Sequence, residues 1–316
     1  MNSFISEIDG RLDKVLTSKL SHSRNQIEKL IKDGLVCVNS KVVKKTSFKV
    51  KVDDKIEYQF IEATKEKPID IDFDVEILYE DEHILVVNKP IGLVVHKAPS
   101  LKEATLVDWL IHKGISLSTI SGEERHGIVH RIDRETTGAL VVAKSNEAHQ
   151  KLSEQLQDKS MGRYYLAIID YPLKDDTTIE APIGRSPTNR LKMAINSNGK
   201  SAKSHFKKLV EGKNNLELIS AKLYTGRTHQ IRVHLNSIGR HILGDEMYGF
   251  KVAKNRPRVQ LHAYLLYLTH PITGKKMEFI APIFDDMRNI LTTKFDIKKI
   301  DNAIKSENLV DKFRGN

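Results

Sequence analysis

The sequence predicts an α+β protein of two unequal parts. Short β-rich runs outnumber the helical stretches and do not alternate strictly with them, which argues against a doubly wound α/β sheet. The first 62 residues carry their own pattern of helices and strands and end in a polar stretch. A length of 316 residues with 40% hydrophobic content is enough for about two packed domains.

Residues 1–62 read as a small module. Leu12, Val15, Leu16 and Leu20 line one side of a short helix over residues 11–20. Residues 21–23 offer caps for a second helix marked by Ile27, Leu30 and Ile31, with Gly34 as its stop. Residues 35–43 read as strand, tight turn and strand, and Asp53-Asp54 turns the chain into a strand ending near Phe60. The module holds 12 basic and 9 acidic residues, so it is only mildly basic. Residues 63–69, polar and broken by Pro68, read as a linker.

Residues 70–295 form the larger unit. Ile84-Leu85-Val86-Val87 and Ala139-Leu140-Val141-Val142-Ala143 read as buried strands, residues 146–157 as a helix and residues 164–169 as another strand. Residues 296–316 read as a polar C-terminal tail with a weak helical pattern.

Charge and cysteine content narrow the function classes. The single cysteine, Cys37, excludes a disulfide framework and any cysteine-rich zinc site. The first residues have neither a basic nor an apolar leader region, and no apolar run approaches the roughly 20 residues of a bilayer span. The expectation is a cytoplasmic protein with no membrane association. The net charge is +10, and residues 184–213 carry eight basic residues against one acidic residue. A run so one-sided points to a polyanion, because each phosphate contact releases condensed counterions.

Two apparent motifs fail. Ala194-Ile195-Asn196-Ser197-Asn198-Gly199-Lys200-Ser201 resembles a phosphate loop, but its first glycine is missing and the residues after it alternate like a strand, so Gly199 reads as a turn residue. His229 and His234 are spaced i, i+5 with no glutamate between them, a spacing that gives no metal pair on a helix or a strand. No metal site and no nucleotide cofactor are expected.

Two dense segments remain. His130-Arg131-Ile132-Asp133-Arg134-Glu135-Thr136-Thr137-Gly138 runs directly into a buried strand, so Asp133 can sit at the floor of a cleft, its charged form favoured by Arg131 and Arg134. Tyr224-Thr225-Gly226-Arg227-Thr228-His229-Gln230-Ile231-Arg232-Val233-His234-Leu235 offers Arg227 and Arg232 to phosphate or to a carboxylate such as Asp133. Its other reading is an amphipathic element with Ile231 and Leu235 inward and the arginines in water.

These residues resemble the RluA-type pseudouridine synthases. His130-Arg131-Ile132-Asp133 with Thr136-Thr137-Gly138 resembles the family's catalytic motif, and residues 226–234 resemble its third motif. Val87-Asn88-Lys89-Pro90 with Gly92-Leu93-Val94-Val95-His96 resembles the first motif, and Arg163-Tyr164-Tyr165-Leu166-Ala167 the tyrosine segment. Arg11-Leu12-Asp13 and Ser23-Arg24 make the N-terminal module similar to an S4 RNA-binding domain. Ile132 stands where leucine is usual, and Arg163 where lysine is common.

The resemblance implies a mixed, largely antiparallel sheet crossed by a catalytic cleft. It implies isomerisation of uridine to pseudouridine within RNA, specifically 23S rRNA or a large-subunit particle, by a monomer needing no cofactor. The N1–C1′ bond breaks, the uracil turns, and C5 bonds to C1′. Asp133 is then the nucleophile or base, Arg232 holds it ionised, and Tyr165 stacks on the uracil. Arg131 fills the space vacated by the flipped uridine, and His130, Arg227, Arg185, Arg190 and Lys192 contact RNA, with Arg24 and Lys29 contacting it from the S4-like module. Other readings are a related branch acting on rRNA or tRNA, and an RNA-binding assembly factor without catalysis.

Overall fold

The computed structural model describes residues 2–20, 24–59, 70–97, 101–120, 126–249 and 257–313. The expected caps at 21–23 and the linker at 63–69 lie outside these residues, as does the side chain of Arg24.

The N-terminal unit comprises β1 (Asn2–Ile5), β2 (Gly10–Arg11), α1 (Leu12–Lys19), α2 (Arg24–Lys32), β3 (Val36–Val38), β4 (Lys41–Val42), β5 (Lys49–Val50) and β6 (Lys55–Tyr58). Its main sheet runs β1-β6-β3-β4, all antiparallel. Leu12, Val15 and Leu16 of α1 meet Ile27, Leu30 and Ile31 of α2 and Val36, Val38 and Ile56 of the sheet in one core. That packing leaves Lys29 exposed on the outer side of α2.

The larger unit begins with β7 (Glu76–Glu80), β8 (Ile84–Lys89), α3 (Leu106–His112), β9 (Thr137–Ala143), α4 (Asn146–Asp158) and β10 (Gly162–Asp170). It continues with β11 (Thr177–Glu180), β12 (Ile183–Arg185), β13 (Met193–Ile195), β14 (Lys203–Glu211), β15 (Leu216–Leu223) and α5 (Gln230–Ser237). It closes with β16 (His241–Ile242), β17 (Leu261–Thr269), β18 (Lys276–Ile280), α6 (Asp285–Lys294), α7 (Ile297–Ala303) and α8 (Ser306–Asp311).

One mixed sheet dominates, in the order β11-β14-β15-β10-β17-β9-β8-β7, with β16 joined to β10 and β18 to β17. Its pairings are antiparallel except for β9 beside β17, where Thr137 faces His262 and Gly138 faces Ala263. Gly138 is required at this seam. Its φ is +110°, and an added Cβ would lie 2.3 Å from the Ala263 carbonyl oxygen.

Strand alternation divides the core into two faces. Leu85, Val87, Tyr165, Ala167 and Ile169 pack toward α3 and α5, while Ile84, Val86, Tyr164, Leu166 and Ile168 pack on the opposite face. The first face carries the site; the second is covered by α4 and α6–α8.

The C-terminal stretch differs from the polar tail expected for residues 296–316. Ile300, Ile304, Leu309 and Phe313 are buried against Leu166, Ile168 and Leu218. They are only one or two apolar positions per short helix, which the surrounding lysines and acids hide in composition.

Candidate active site

Asp133 stands in the loop that enters β9, and several backbone contacts fix that loop. Ile132 is buried in the core, the Thr136 N–H donates to the Asp133 carbonyl (3.0 Å), and the Gly92 N–H donates to the Arg134 carbonyl (3.1 Å). Lys89, at the end of β8, is fully buried, and its ammonium donates to the carbonyls of Pro90 and Leu93 (both 2.8 Å) and Arg134 (3.3 Å). Burial pushes its pKa down to about 7, against the pull of Asp133 and Glu135.

The Asp133 carboxylate opens into a cavity of about 60 Å³ walled by Arg131, Arg163, Tyr165, Arg227 and Arg232. Four arginines against one lining carboxylate make this an anion-attracting cleft. Tyr165, on β10, is buried at its base, with the Arg163 guanidinium 5.8 Å from its ring centroid. Burial raises the Tyr165 phenol pKa, so the ring stands there neutral.

Arg232 approaches Asp133 from α5, at 4.0 Å between Nη1 and Oδ2. Its principal partner is Asp245, which it grips through Nε (2.6 Å) and Nη2 (2.8 Å). The Asp245 side chain is 1% exposed and that of Arg232 4%, whereas Asp133 keeps 19%. Burial alone would lower the arginine pKa, but hydrogen bonding and charge from Asp245, with Asp133 behind, raise it. The reading of an amphipathic α5 with its arginines in water is therefore corrected for Arg232, whose paired carboxylate makes the burial tolerable.

Behind this pair stands Tyr248. The Arg232 guanidinium lies 5.0 Å from its ring centroid, and the Tyr248 hydroxyl hydrogen-bonds His229 Nδ1 (2.8 Å) while accepting from the Met193 N–H (2.8 Å). Met193 belongs to the β12–β13 hairpin, so this hydroxyl ties the hairpin to α5. Gln230 braces the loop before α5 by accepting from Thr225 Oγ1 (2.8 Å) and the Arg227 N–H (2.9 Å). His234 is occupied separately by Ser204 and the Ala181 carbonyl.

Other expected site residues are distributed differently. His130 turns inward: its Nε2 meets the Val141 N–H (3.2 Å) and its Nδ1 faces Arg163. Burial and the Arg163 charge hold its pKa well below the ordinary value, so it stands as a neutral brace for Arg163. Arg134 turns away from Asp133 to Glu103 (3.0 Å). Arg131 is exposed at the cavity mouth, and Arg227 donates to the Ser201 carbonyl (2.9 Å) beside it.

Arg185 and Arg190 are exposed on the β12–β13 hairpin, and the Arg185 guanidinium donates to the Arg190 carbonyl (2.8 Å). Lys192 lies 6.0 Å from the Tyr248 ring. The basic run nevertheless splits. Lys203, Lys207 and Lys208 on β14 are paired with Glu180, Asp176 and Glu211 at 3.0–3.4 Å. Gly199 closes the turn beyond β13, where a Cβ would strike the Ile183 carbonyl carbon at 2.4 Å, so it is a close-packing glycine and not part of a phosphate loop.

Sequence reasoning missed Asp245, Tyr248 and the structural part played by Arg163 and Lys89. Asp245 lies in Gly244-Asp245-Glu246-Met247-Tyr248-Gly249, where only the flanking glycines hint at a shaped turn. Its partner stands 13 positions earlier, beyond any local charge pattern.

The sheet and cleft have known counterparts. Residues 83–237 match the family model described as RNA pseudouridylate synthase, and residues 10–56 match the S4 domain. An uncharacterized RNA pseudouridine synthase of Helicobacter pylori (strain ATCC 700392 / 26695) is 45% identical over 96% of this chain and 95% of its own. A ribosomal large subunit pseudouridine synthase D of Zymomonas mobilis is 42% identical over 89% of this chain and 92% of its own. Among solved structures, human RNA pseudouridylate synthase domain containing 1 superposes with a TM-score of 0.54 at 26% identity, covering 66% of this chain and 84% of that one.

The matches make the chain an RNA pseudouridine synthase, an isomerase. Within that class, the chain belongs to the RluA-type pseudouridine synthases that carry an N-terminal S4 RNA-binding domain. Among the described residues, no helix is long and apolar enough to cross a membrane.

Proposed function

We propose that this enzyme isomerises specific uridines in 23S rRNA of the large ribosomal subunit, with Asp133 as the reacting carboxylate. The observation that carries the assignment to Asp133 is its position: a partly exposed carboxylate in an arginine-lined cleft, 4.0 Å from a buried arginine and sharing the cavity wall with a buried tyrosine. The rRNA substrate is supported by similarity to synthases named for the large ribosomal subunit, at 38–42% identity.

In this reading the target uridine leaves its stack to reach the cleft, and Arg131 at the mouth takes its place. Asp133 acts on it as nucleophile or base. The glycosidic bond from N1 to C1′ breaks, the uracil turns against Tyr165, and C5 bonds to C1′. The C5 proton is lost and N1 gains one, so the product is an isomer with no external donor. Arg232, itself fixed by Asp245, faces the Asp133 carboxylate at 4.0 Å. The cleft excludes water while the detached uracil is held.

The test is pseudouridine mapping of rRNA and tRNA by carbodiimide labelling, in a strain lacking the gene and in that strain complemented. Large-subunit sites vanish, and wild type restores them while Asp133→Asn does not. Purified Asp133→Asn binds rRNA within a few-fold of wild type. Restoration by Asp133→Asn would end the assignment of the carboxylate; loss of tRNA sites alone would end the rRNA assignment.

A further inference from the structure

A second cavity, of about 420 Å³, adjoins the one at Asp133 and shares Arg131, Arg163, Leu223 and Gly226 with it. Its size lies within the range of about 300–1,000 Å³ typical of small-molecule clefts. Its far walls are aromatic and basic: Tyr224, Tyr267, Lys222 and Lys159. Among the described residues, no acidic side chain lines it.

Lys222 is the unusual member. Its ammonium sits 5.5 Å from the ring centroids of both Tyr164 and Tyr224, half-buried, and no carboxylate pairs with it among the described residues. Burial lowers its pKa by penalising the charged ammonium, a penalty that an anion beside it would offset. Arg131 and Lys159 are likewise without carboxylate partners among the described residues. Aromatic walls interleaved with free cations are how single-stranded nucleic acid is held: the rings take bases and the cations take phosphates. Gly226 stands at the passage between the cavities, where an added Cβ would meet nothing within 4 Å.

We propose that this cavity is a subsite for the nucleotide adjoining the target uridine, its base against Tyr224 and Tyr267 and its phosphate between Lys222 and Lys159. The proposal rests on the reading that Asp133 receives the uridine. A uridine drawn out of its stack leaves a neighbour that has lost a stacking face, and this wall supplies another. Selection among uridines then depends partly on which base follows the target into the cleft.

The test uses the full-length protein and short single-stranded RNA oligonucleotides with a central uridine, followed by fluorescence anisotropy. An abasic ribose replaces the nucleotide on one side of the uridine and then on the other. On one side it weakens binding at least about five-fold, as loss of base–aromatic stacking does. In Tyr224→Leu the same replacement costs less than two-fold. Lys222→Met reduces the slope of log affinity against log salt by about 0.7, the value of one phosphate contact on a single strand. Lys159→Glu, on the exposed rim, weakens the natural oligonucleotide at low salt with an unchanged thermal midpoint.

Equal losses in wild type and Tyr224→Leu, or no loss on either side, overturn the base subsite. Unchanged affinity in Lys159→Glu and an unchanged salt slope in Lys222→Met overturn the phosphate contacts. Failure of the rRNA assignment is read separately from the pseudouridine map, which does not depend on the abasic comparison.

Discussion

The Arg232 guanidinium faces two carboxylates but forks onto only one. Asp245 holds it at 2.6 and 2.8 Å, and Asp133 stands at 4.0 Å. Asp245 therefore anchors the arginine, and Asp133 is left partly exposed to meet substrate. Removing the anchor strands a buried cation, a change that typically costs about 3–5 kcal/mol. We expect Asp245→Asn to lower stability by about 3 kcal/mol, and to reduce the single-turnover rate at least about ten-fold with little change in apparent KM. Asp133→Asn should cost far less stability. Urea denaturation of both variants checks this, and a larger loss in Asp133→Asn would reverse the order of the two partners. At this scale the sequence was half legible. Asp133, Tyr165 and Arg232 are found through motifs whose residues are contiguous. Asp245 and Tyr248 converge on Arg232 through the fold, and nothing local in the sequence pairs them with it.

The β12–β13 hairpin exposes Arg185 and Arg190, while the β14 lysines downstream are already neutralised by Glu180, Asp176 and Glu211. Charge reversal at Arg185 and Arg190 should therefore weaken RNA binding and flatten its salt dependence. Reversal at Lys203 and Lys207 should do so much less, a difference that filter binding at several salt concentrations would expose. A net count over residues 184–213 could not separate these two groups, because two of the three neutralising acids, Asp176 and Glu180, lie outside that segment. Helices α7 and α8 carry a different lesson. Their apolar residues are few, yet Ile300 and Leu309 are buried against the sheet. Leu309→Ala should destabilise the protein by about 2–5 kcal/mol, as core truncations of this type do. A thermal midpoint within a degree of wild type would show that α8 rests on the sheet without holding it.

Across the whole molecule, several histidines whose pKa burial lowers should make stability fall on acidification. His262, behind the seam of β9 and β17, hydrogen-bonds the Thr137 hydroxyl through Nδ1 (2.8 Å) and the Ala281 carbonyl through Nε2 (3.1 Å). A neutral ring satisfies both, accepting from the first and donating to the second. Burial lowers its pKa from 6.5 to about 4. Between those values the unfolded chain binds the extra proton and the folded one does not, so stability falls as pH falls. The shift is worth about 3 kcal/mol when complete. His149, His205 and His234 are shifted in the same direction by burial and add to the slope. Urea midpoints measured from pH 7 to 4 should decline, and His262→Gln should flatten part of that decline. A parallel decline in the variant would move the cause to other groups. The fold class itself was legible because strand alternation is written locally. The order of strands in the sheet was not, since neighbours such as β9 and β17 are far apart in the chain.

That seam also sets when the protein becomes an enzyme. Thr137 and His262 are 125 positions apart, and closing so long a loop is entropically slow before other contacts reward it. The loop of Asp133 leads straight into β9, so its position depends on a strand synthesised much later. During translation the N-terminal module can fold as soon as it emerges, while the cleft stays open until β17 has left the ribosome and docked. A nascent chain can thus hold RNA before it can isomerise it, and competence arrives in one late step.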